Sequence, residues 1–110
     1  MSELAREGEH PTNGLSDVVH QKHRLGILTI AAETKRVEFS YLKEALDLTG
    51  GNLSRHLTVL VDAGLLDMEK GYDGKRPKTW VSITRSGRAA LAKEMAALRA
   101  LVDRLGPGSG

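Results

Sequence analysis

The chain has 110 residues, 16 Lys plus Arg against 14 Asp plus Glu, and no cysteine, which sets aside disulfides, thiolate zinc sites, iron–sulfur clusters and cysteine nucleophiles. No apolar run approaches the roughly 18 residues of a bilayer span, and residues 1–9 carry three acids with no hydrophobic segment, so neither a membrane span nor a secretory signal is expected, and the expected compartment is the cytoplasm. An aromatic fraction of 4% leaves Leu, Val, Ile and Ala to build the core of one small domain, which at this size buries only about two-thirds of its unfolded surface and would gain from dimerisation.

Residues 1–15 are polar, contain Pro11-Thr12-Asn13-Gly14, and are expected to form a flexible arm. Ser16 or Asp17 then caps a first helix to about Glu33, with Val18, Val19, Leu25, Ile27, Leu28 and Ala31 as its apolar positions. Gly26 inside that helix either costs about 1 kcal/mol relative to alanine or marks a close packing contact. Val37, Glu38 and Phe39 form a short extended piece, and Ser40 caps a two-turn second helix carrying Leu42, Ala45 and Leu46. Leu48-Thr49-Gly50-Gly51 predicts a turn, followed by a third helix from about Asn52 to Ala63 that Gly64 ends in the left-handed conformation. Leu65, Leu66 and Met68, then the turn formers of residues 71–77, then Thr79-Trp80-Val81-Ser82-Ile83, predict a β-hairpin with a long basic tip. An alanine-rich helix runs from Thr84 to about Leu105, where residues 106–110, Gly-Pro-Gly-Ser-Gly, end it in a flexible tail. Leu91, Met95, Leu98, Val102 and Leu105 on this helix are spaced as a heptad seam over two heptads, the pattern of a helix that meets a partner helix.

Charge is concentrated in the second half. Residues 70–93 hold seven bases, Lys70, Lys75, Arg76, Lys78, Arg85, Arg88 and Lys93, against the single acid Asp73. Such a cluster suits a polyanionic partner. On the third helix, advancing about 100° per residue places Leu53, Leu57, Leu60 and Val61 on one core-facing side. The other side carries Gly51, Asn52, Arg55, Thr58 and Val59, with Ser54 and His56 on its flanks. Small and hydrogen-bonding side chains of this kind can enter a major groove: Arg pairs with guanine, Asn with adenine, and a Thr methyl meets the thymine methyl. Ser54 and Thr58 can equally contact phosphate, and Lys70, Lys75, Arg76 and Lys78 around the hairpin can lie along the backbone or in the minor groove.

The order helix, helix, turn, helix, basic hairpin, helix defines an α+β, mostly α fold, a winged helix-turn-helix over residues 16–105 with a two-stranded wing and a long C-terminal helix. The runs Leu46-Asp47-Leu48-Thr49-Gly50-Gly51-Asn52-Leu53-Ser54-Arg55-His56-Leu57, Ala63-Gly64-Leu65-Leu66 and Gly74-Lys75-Arg76-Pro77-Lys78-Thr79 carry a further likeness, as do Ser86-Gly87-Arg88 and, upstream, His20 with Arg24-Leu25-Gly26-Ile27-Leu28. In these the chain resembles winged-helix transcriptional regulators of the MarR/ArsR-like class. The resemblance implies a homodimeric regulator, most simply a repressor, that binds double-stranded DNA with the third helix in the major groove and the wing beside it. It also implies that the terminal helices, here the seam from Leu91 to Leu105, make the dimer, and two-fold symmetry then implies a palindromic operator. It leaves room for an unidentified small-molecule effector between the terminal helices and the DNA-binding lobe.

The main alternative is a winged-helix protein–protein interaction module without DNA binding, for which the bases around the hairpin would be unnecessary. No catalytic constellation converges, since Ser54, His56 and Asp62 share one helix but Ser54 and His56, two apart, point in different directions, and no enzyme activity is expected. Asp17, His20 and His23, three apart on one helix face, are the sole spacing that resembles a metal site; the last helix adds only Glu94 and Asp103, so neither a metal nor another cofactor is expected. His20 and His23 are expected to be partly buried near the dimer contact, and Trp80 to pack in the core or wing rather than to wall a pocket.

Overall fold

A computed structural model describes residues 15–109, so the arm expected over residues 1–15 lies outside it except for Leu15. The elements are α1 (Asp17–His20), α2 (Lys22–Ala32), β1 (Val37–Glu38), α3 (Phe39–Ala45), α4 (Gly50–Asp62), β2 (Leu66–Asp73), β3 (Arg76–Ile83) and α5 (Arg85–Ser109). The three strands form one antiparallel sheet in the order β1-β3-β2. This is the winged helix fold that the element order implies, with one addition: the extended piece at Val37 pairs with Val81 and gives the hairpin a third strand.

The expected first helix is broken at Gln21, whose backbone leaves the helical region with ψ near 137°. No glycine or proline causes the break. It accompanies the anchoring of α1 on α5, where the buried Glu94 carboxylate accepts from the Ser16 amide at 3.1 Å and pairs with His20 Nδ1 at 2.7 Å while Val19 enters the core. In α2, Gly26 is the close-packing position: a Cβ there would lie 2.8 Å from Leu46 Cδ2.

Between α3 and α4 the chain turns through Asp47, which has a φ of 54°, with the Leu48 amide donating to the Lys43 carbonyl and the Asp47 amide to that of Glu44. These bonds satisfy carbonyls at the end of α3 in the manner of a left-handed helix cap. α4 then starts at Gly50 rather than at Asn52, because the Thr49 hydroxyl accepts from the Asn52 amide at 3.1 Å and caps a first turn that includes both glycines. Leu53, Leu57 and Leu60 of α4 are wholly buried against Ile27, Leu28, Leu42, Leu66 and Val81, each such side chain contributing about 1.5–3 kcal/mol by its removal from water.

Gly64, with φ 79°, ends the turn after α4 as expected. The hairpin is longer and its tip shorter than the sequence suggests. Pairing continues to Asp73↔Arg76, and only Gly74 and Lys75 form the loop, with Gly74 at φ 66°, the left-handed first position that matches the twist of paired strands. Pro77 fits in β3 because β1 reaches only Trp80 and Val81, so its N–H-less side is an open sheet edge.

Thr84 joins sheet to α5. Its amide donates to the Leu65 carbonyl at 3.0 Å, its hydroxyl donates to the Gly64 carbonyl at 2.7 Å, and the same oxygen accepts from the Gly87 amide at 2.9 Å. Gly87 is required by contact rather than by conformation, since a Cβ there would collide with the Leu65 carbonyl oxygen and come within 2.7 Å of Ile83 Cγ1. α5 continues past Leu105 to Ser109.

The two glycines give opposite expectations. Gly87→Ala is expected to destabilise the fold by about 1–3 kcal/mol through overpacking against backbone. Gly51→Ala, where an added methyl meets nothing within 4 Å, is expected to stabilise it by up to about 1 kcal/mol. Urea midpoints of the two variants check the pair of signs.

Candidate nucleic-acid interface

The burial of Leu53, Leu57 and Leu60 turns the opposite side of α4 outward, and Gly51, Asn52, Ser54, Arg55 and Thr58 are all exposed on it, with Val59 half-buried at its edge. The Thr58 hydroxyl donates to the Ser54 carbonyl at 2.9 Å. That bond uses the hydroxyl proton inside the helix and leaves the methyl group and an acceptor lone pair for a partner.

Lys70, Lys75 and Arg76 are exposed on the hairpin. Lys78 is different. Its ammonium lies 2.8 Å from Glu38 Oε2 and 3.3 Å from Asp73 Oδ2, bridging the wing to the β1–α3 junction. The Glu38 carboxylate also accepts from the Ser40 hydroxyl at 2.8 Å. The hydrogen bond from Lys78, and then that from Ser40, holds Glu38 below the usual glutamate range, while the bonds to Glu38 and Asp73 push Lys78 above the usual lysine range. Lys78 therefore sets the wing's position in the isolated chain, and Lys70, Lys75 and Arg76 carry its exposed positive charge. Glu38 could not be singled out in the sequence, because a carboxylate forty positions from its lysine gives no spacing signal.

The sequence cluster of bases over residues 70–93 does not form one patch. The Arg88 guanidinium donates to the Ala32 carbonyl at 3.2 Å and caps the end of α2. Upstream of the cluster, Arg36 lies over the Trp80 ring at 4.0 Å, so Trp80 packs within the wing under a cation, as expected for a residue that does not wall a pocket.

His20 and His23 do not share one helix face, because the break at Gln21 lies between them. His20 is half-exposed and turns to Glu94 on α5, whereas the half-buried His23 ring lies 5.5 Å from that of His56 on α4. Arg24 Nε donates to His56 Nδ1 at 3.3 Å. Burial pushes the His56 imidazole below its ordinary value, and the charges of Arg24, His23 and Arg55 push it the same way. Arg24 and Glu94 were not singled out as site residues by periodicity, which ranks positions by apolarity and misses polar groups that meet across helices.

On α5 the side that packs on the domain runs through Gly87, Leu91, Glu94 and Ala97, offset from the heptad seam. Leu91 packs against the core cluster, Met95 and Leu98 lie at the boundary, and Val102 and Leu105 are 62% and 77% exposed. Met95 borders a groove of about 800 Å³ whose apolar wall is formed by Leu25, Ile30 and Leu46. No helix among the described residues is long and apolar enough to cross a membrane.

A capped helix with an exposed polar face, followed at once by a hairpin with an exposed basic tip, defines a winged-helix DNA-binding domain. Residues 23–102 match the model of the winged helix DNA-binding domain family, and the chain belongs to that family. It is 42% identical over 67 residues, 61% of this chain and 73% of the relative, to the uncharacterized protein MJ0432 of Methanocaldococcus jannaschii. The solved structure of a transcriptional regulator homologue from Pyrococcus horikoshii OT3 aligns with a TM-score of 0.77 at 32% identity, covering 96% of this chain and 99% of that one. A MarR-family transcriptional regulator from Silicibacter pomeroyi shares the fold, with a TM-score of 0.63 and 22% identity over 96% of this chain and 70% of that one.

The Lys78 bridge has a measurable signature. A carboxylate with a depressed pKa contributes stability that is present above its unfolded value and is lost only as pH falls through the lower folded value. The Glu38 side-chain carbon resonance is therefore expected to titrate at lower pH than a glutamate in an unstructured peptide, and Lys78→Met is expected to move its midpoint back up. Carbon-detected NMR across an acid titration checks both.

Proposed function

We propose that this chain is a sequence-specific transcriptional regulator, a cytoplasmic repressor that binds a palindromic double-stranded DNA operator as a homodimer. The observation that carries the proposal is the exposed row Asn52, Arg55 and Thr58 on a helix whose rotation is fixed by three buried leucines, beside a hairpin that exposes Lys75 and Arg76. In this reading α4 lies in the major groove, Arg55 and Asn52 reach base edges, and Gly51, Ser54, Lys70, Lys75 and Arg76 approach phosphates or the minor groove. Lys78 contributes by holding the wing in place. A winged-helix module that binds only proteins would have no use for this combination of a polar helix face and a basic tip.

Arg55→Ala is expected to cost about 1–3 kcal/mol on the preferred site and to relax the preference at one base pair. Arg76→Ala is expected to weaken all duplexes alike and to lower the slope of log affinity against log salt by about one unit. Fluorescence anisotropy with a selected duplex and an unrelated one, titrated in salt, measures both effects. Equal loss on every sequence for the Arg55 variant would remove it from base readout.

The homodimer reading rests on α5. Its distal part presents Val102 and Leu105 to solvent and continues the boundary row of Met95 and Leu98, next to the groove lined by Leu25, Ile30 and Leu46. A second copy laid along this face would cover both the row and the groove. An unidentified small-molecule effector bound in that groove would sit at the dimer contact, where it could alter the spacing of the two α4 helices. Met95→Glu combined with Val102→Glu is expected to give a monomer at micromolar concentration, with operator affinity reduced about a hundredfold or more by loss of the second half-site. Sedimentation velocity, read beside the anisotropy, tests this.

A further inference from the structure

We propose that Arg24, His23 and His56 form a second phosphate-binding cluster for DNA, on the flank of α4 that packs against α2, and that duplex binding there takes up a proton. The proposal deepens the DNA-binding reading and rests on it. A helix seated in a major groove about 12 Å wide meets bases at the centre of its exposed face and a phosphate strand at each edge, so its flanks are where backbone contacts belong. His56 is on such a flank, next in sequence to Arg55 on the outward face, and Arg24 and His23 extend the flank onto α2.

The donors converge with no acid among them. Among the described residues Arg24 makes one side-chain hydrogen bond, Nε to His56 Nδ1 at 3.3 Å, which leaves the two Nη groups of its guanidinium to donate elsewhere. Because His56 Nδ1 accepts, its ring proton is on Nε2 and offers another donor. The titratable groups that act on His56 are Arg24 and His23 from α2 and Arg55 from α4: two permanent cations and an imidazole, none of them an acid. From α1, His20 is engaged by Glu94 of α5, and neither α3 nor β2 places a carboxylate in an ion pair with the cluster among the described residues. A half-buried group of cations and donors without a counter-charge is the chemistry of an anion site, and a bridging phosphate oxygen supplies the missing charge.

The same geometry links binding to pH. Protonating His56 puts a proton on Nδ1, facing the Arg24 Nε–H, so two donors oppose each other unless an acceptor stands between them. A phosphate oxygen is such an acceptor and favours the imidazolium. The His56 pKa is then higher in the complex than in the isolated chain, and affinity rises as pH falls through the bound value, reaching its full gain below the lowered value of the isolated chain.

The test is fluorescence anisotropy with a labelled mixed-sequence duplex, titrated in salt at about pH 7.5 and about pH 5.5, a range that brackets histidine titration. Wild type, R24Q, R24K, H56Q and the wing variant R76A are compared, each with its thermal midpoint to confirm folding. R24Q is expected to lower the salt slope by about one unit and to weaken binding roughly 3- to 10-fold at moderate salt, and R24K to restore the slope. H56Q is expected to bind nearly as wild type at the higher pH and to lose the part of the acid gain that belongs to this ring. A folded R24Q with the wild-type slope, or a folded H56Q with the whole wild-type acid gain, overturns the cluster's role while R76A still shows its slope loss. Absence of duplex binding by wild type at low salt overturns the DNA reading and this proposal together.

Discussion

Leu53, Leu57 and Leu60 recur on one side of α4 and lose all contact with water in the fold, so any rotation of the helix about its axis would expose a leucine at a cost of about 1.5–3 kcal/mol each. That constraint decides what α4 shows outward. Arg55 and Thr58 face solvent because they are two and one positions away from leucines that cannot, and the polar row is as rigid as the core that turns it out. The Thr49 cap adds a second restraint at the end nearest Asn52, since it ties the first turn of the helix to the residue before it. A binding face built this way needs little ordering when a partner arrives, which removes one of the usual costs of association.

The wing is held by different means. The sheet gives it a backbone, and Thr84, bonded to Gly64 and Leu65 on one side and Gly87 on the other, fixes where strand stops and α5 starts. The tip has no core beneath it, so its position depends on polar contacts: Lys78 to Glu38 and Asp73, and Arg36 over Trp80. Ion pairs near the surface, half-buried like Lys78–Glu38, are weak individually and weaken further in salt. The wing is thus held by polar contacts that an ion can weaken, whereas α4 is held by buried leucines that it cannot.

What was legible in the sequence follows the same division. The third-helix core row, the left-handed Gly64 and the hairpin strands are written in local periodicity and turn chemistry, and the fold reproduces them; at Gly26 the sequence left a helix cost and a close contact open, and the Leu46 side chain decides for the contact. The positions of the α4 face and the wing bases were readable for that reason, being the complement of a legible core. The break at Gln21 was not readable, because it accompanies contacts of Ser16 and His20 with Glu94, more than seventy positions away on α5. The role of Lys78 was hidden likewise, since counting bases cannot tell a lysine with two carboxylate neighbours from one with none. The early start of α4 was missed for a local reason: two glycines read as a turn until the Thr49 hydroxyl is seen to satisfy the amide they precede.

Glu94 also connects the two ends of the molecule. It is 1% exposed on α5, and the groups it holds, the Ser16 amide and the His20 ring, belong to the segment that leads directly into α2. α2 in turn reaches α4 through Arg24 and His56, and α3 through the Gly26–Leu46 contact. A displacement of α5 therefore does not remain within α5: removing the Glu94 carboxylate from its partners would leave a buried acid unsatisfied, a cost of about 1–3 kcal/mol. The helix available for pairing with a second copy and the helix available for DNA are thus joined by a chain of polar contacts, and the relative position of two α4 helices in a dimer would follow from how the two α5 helices meet.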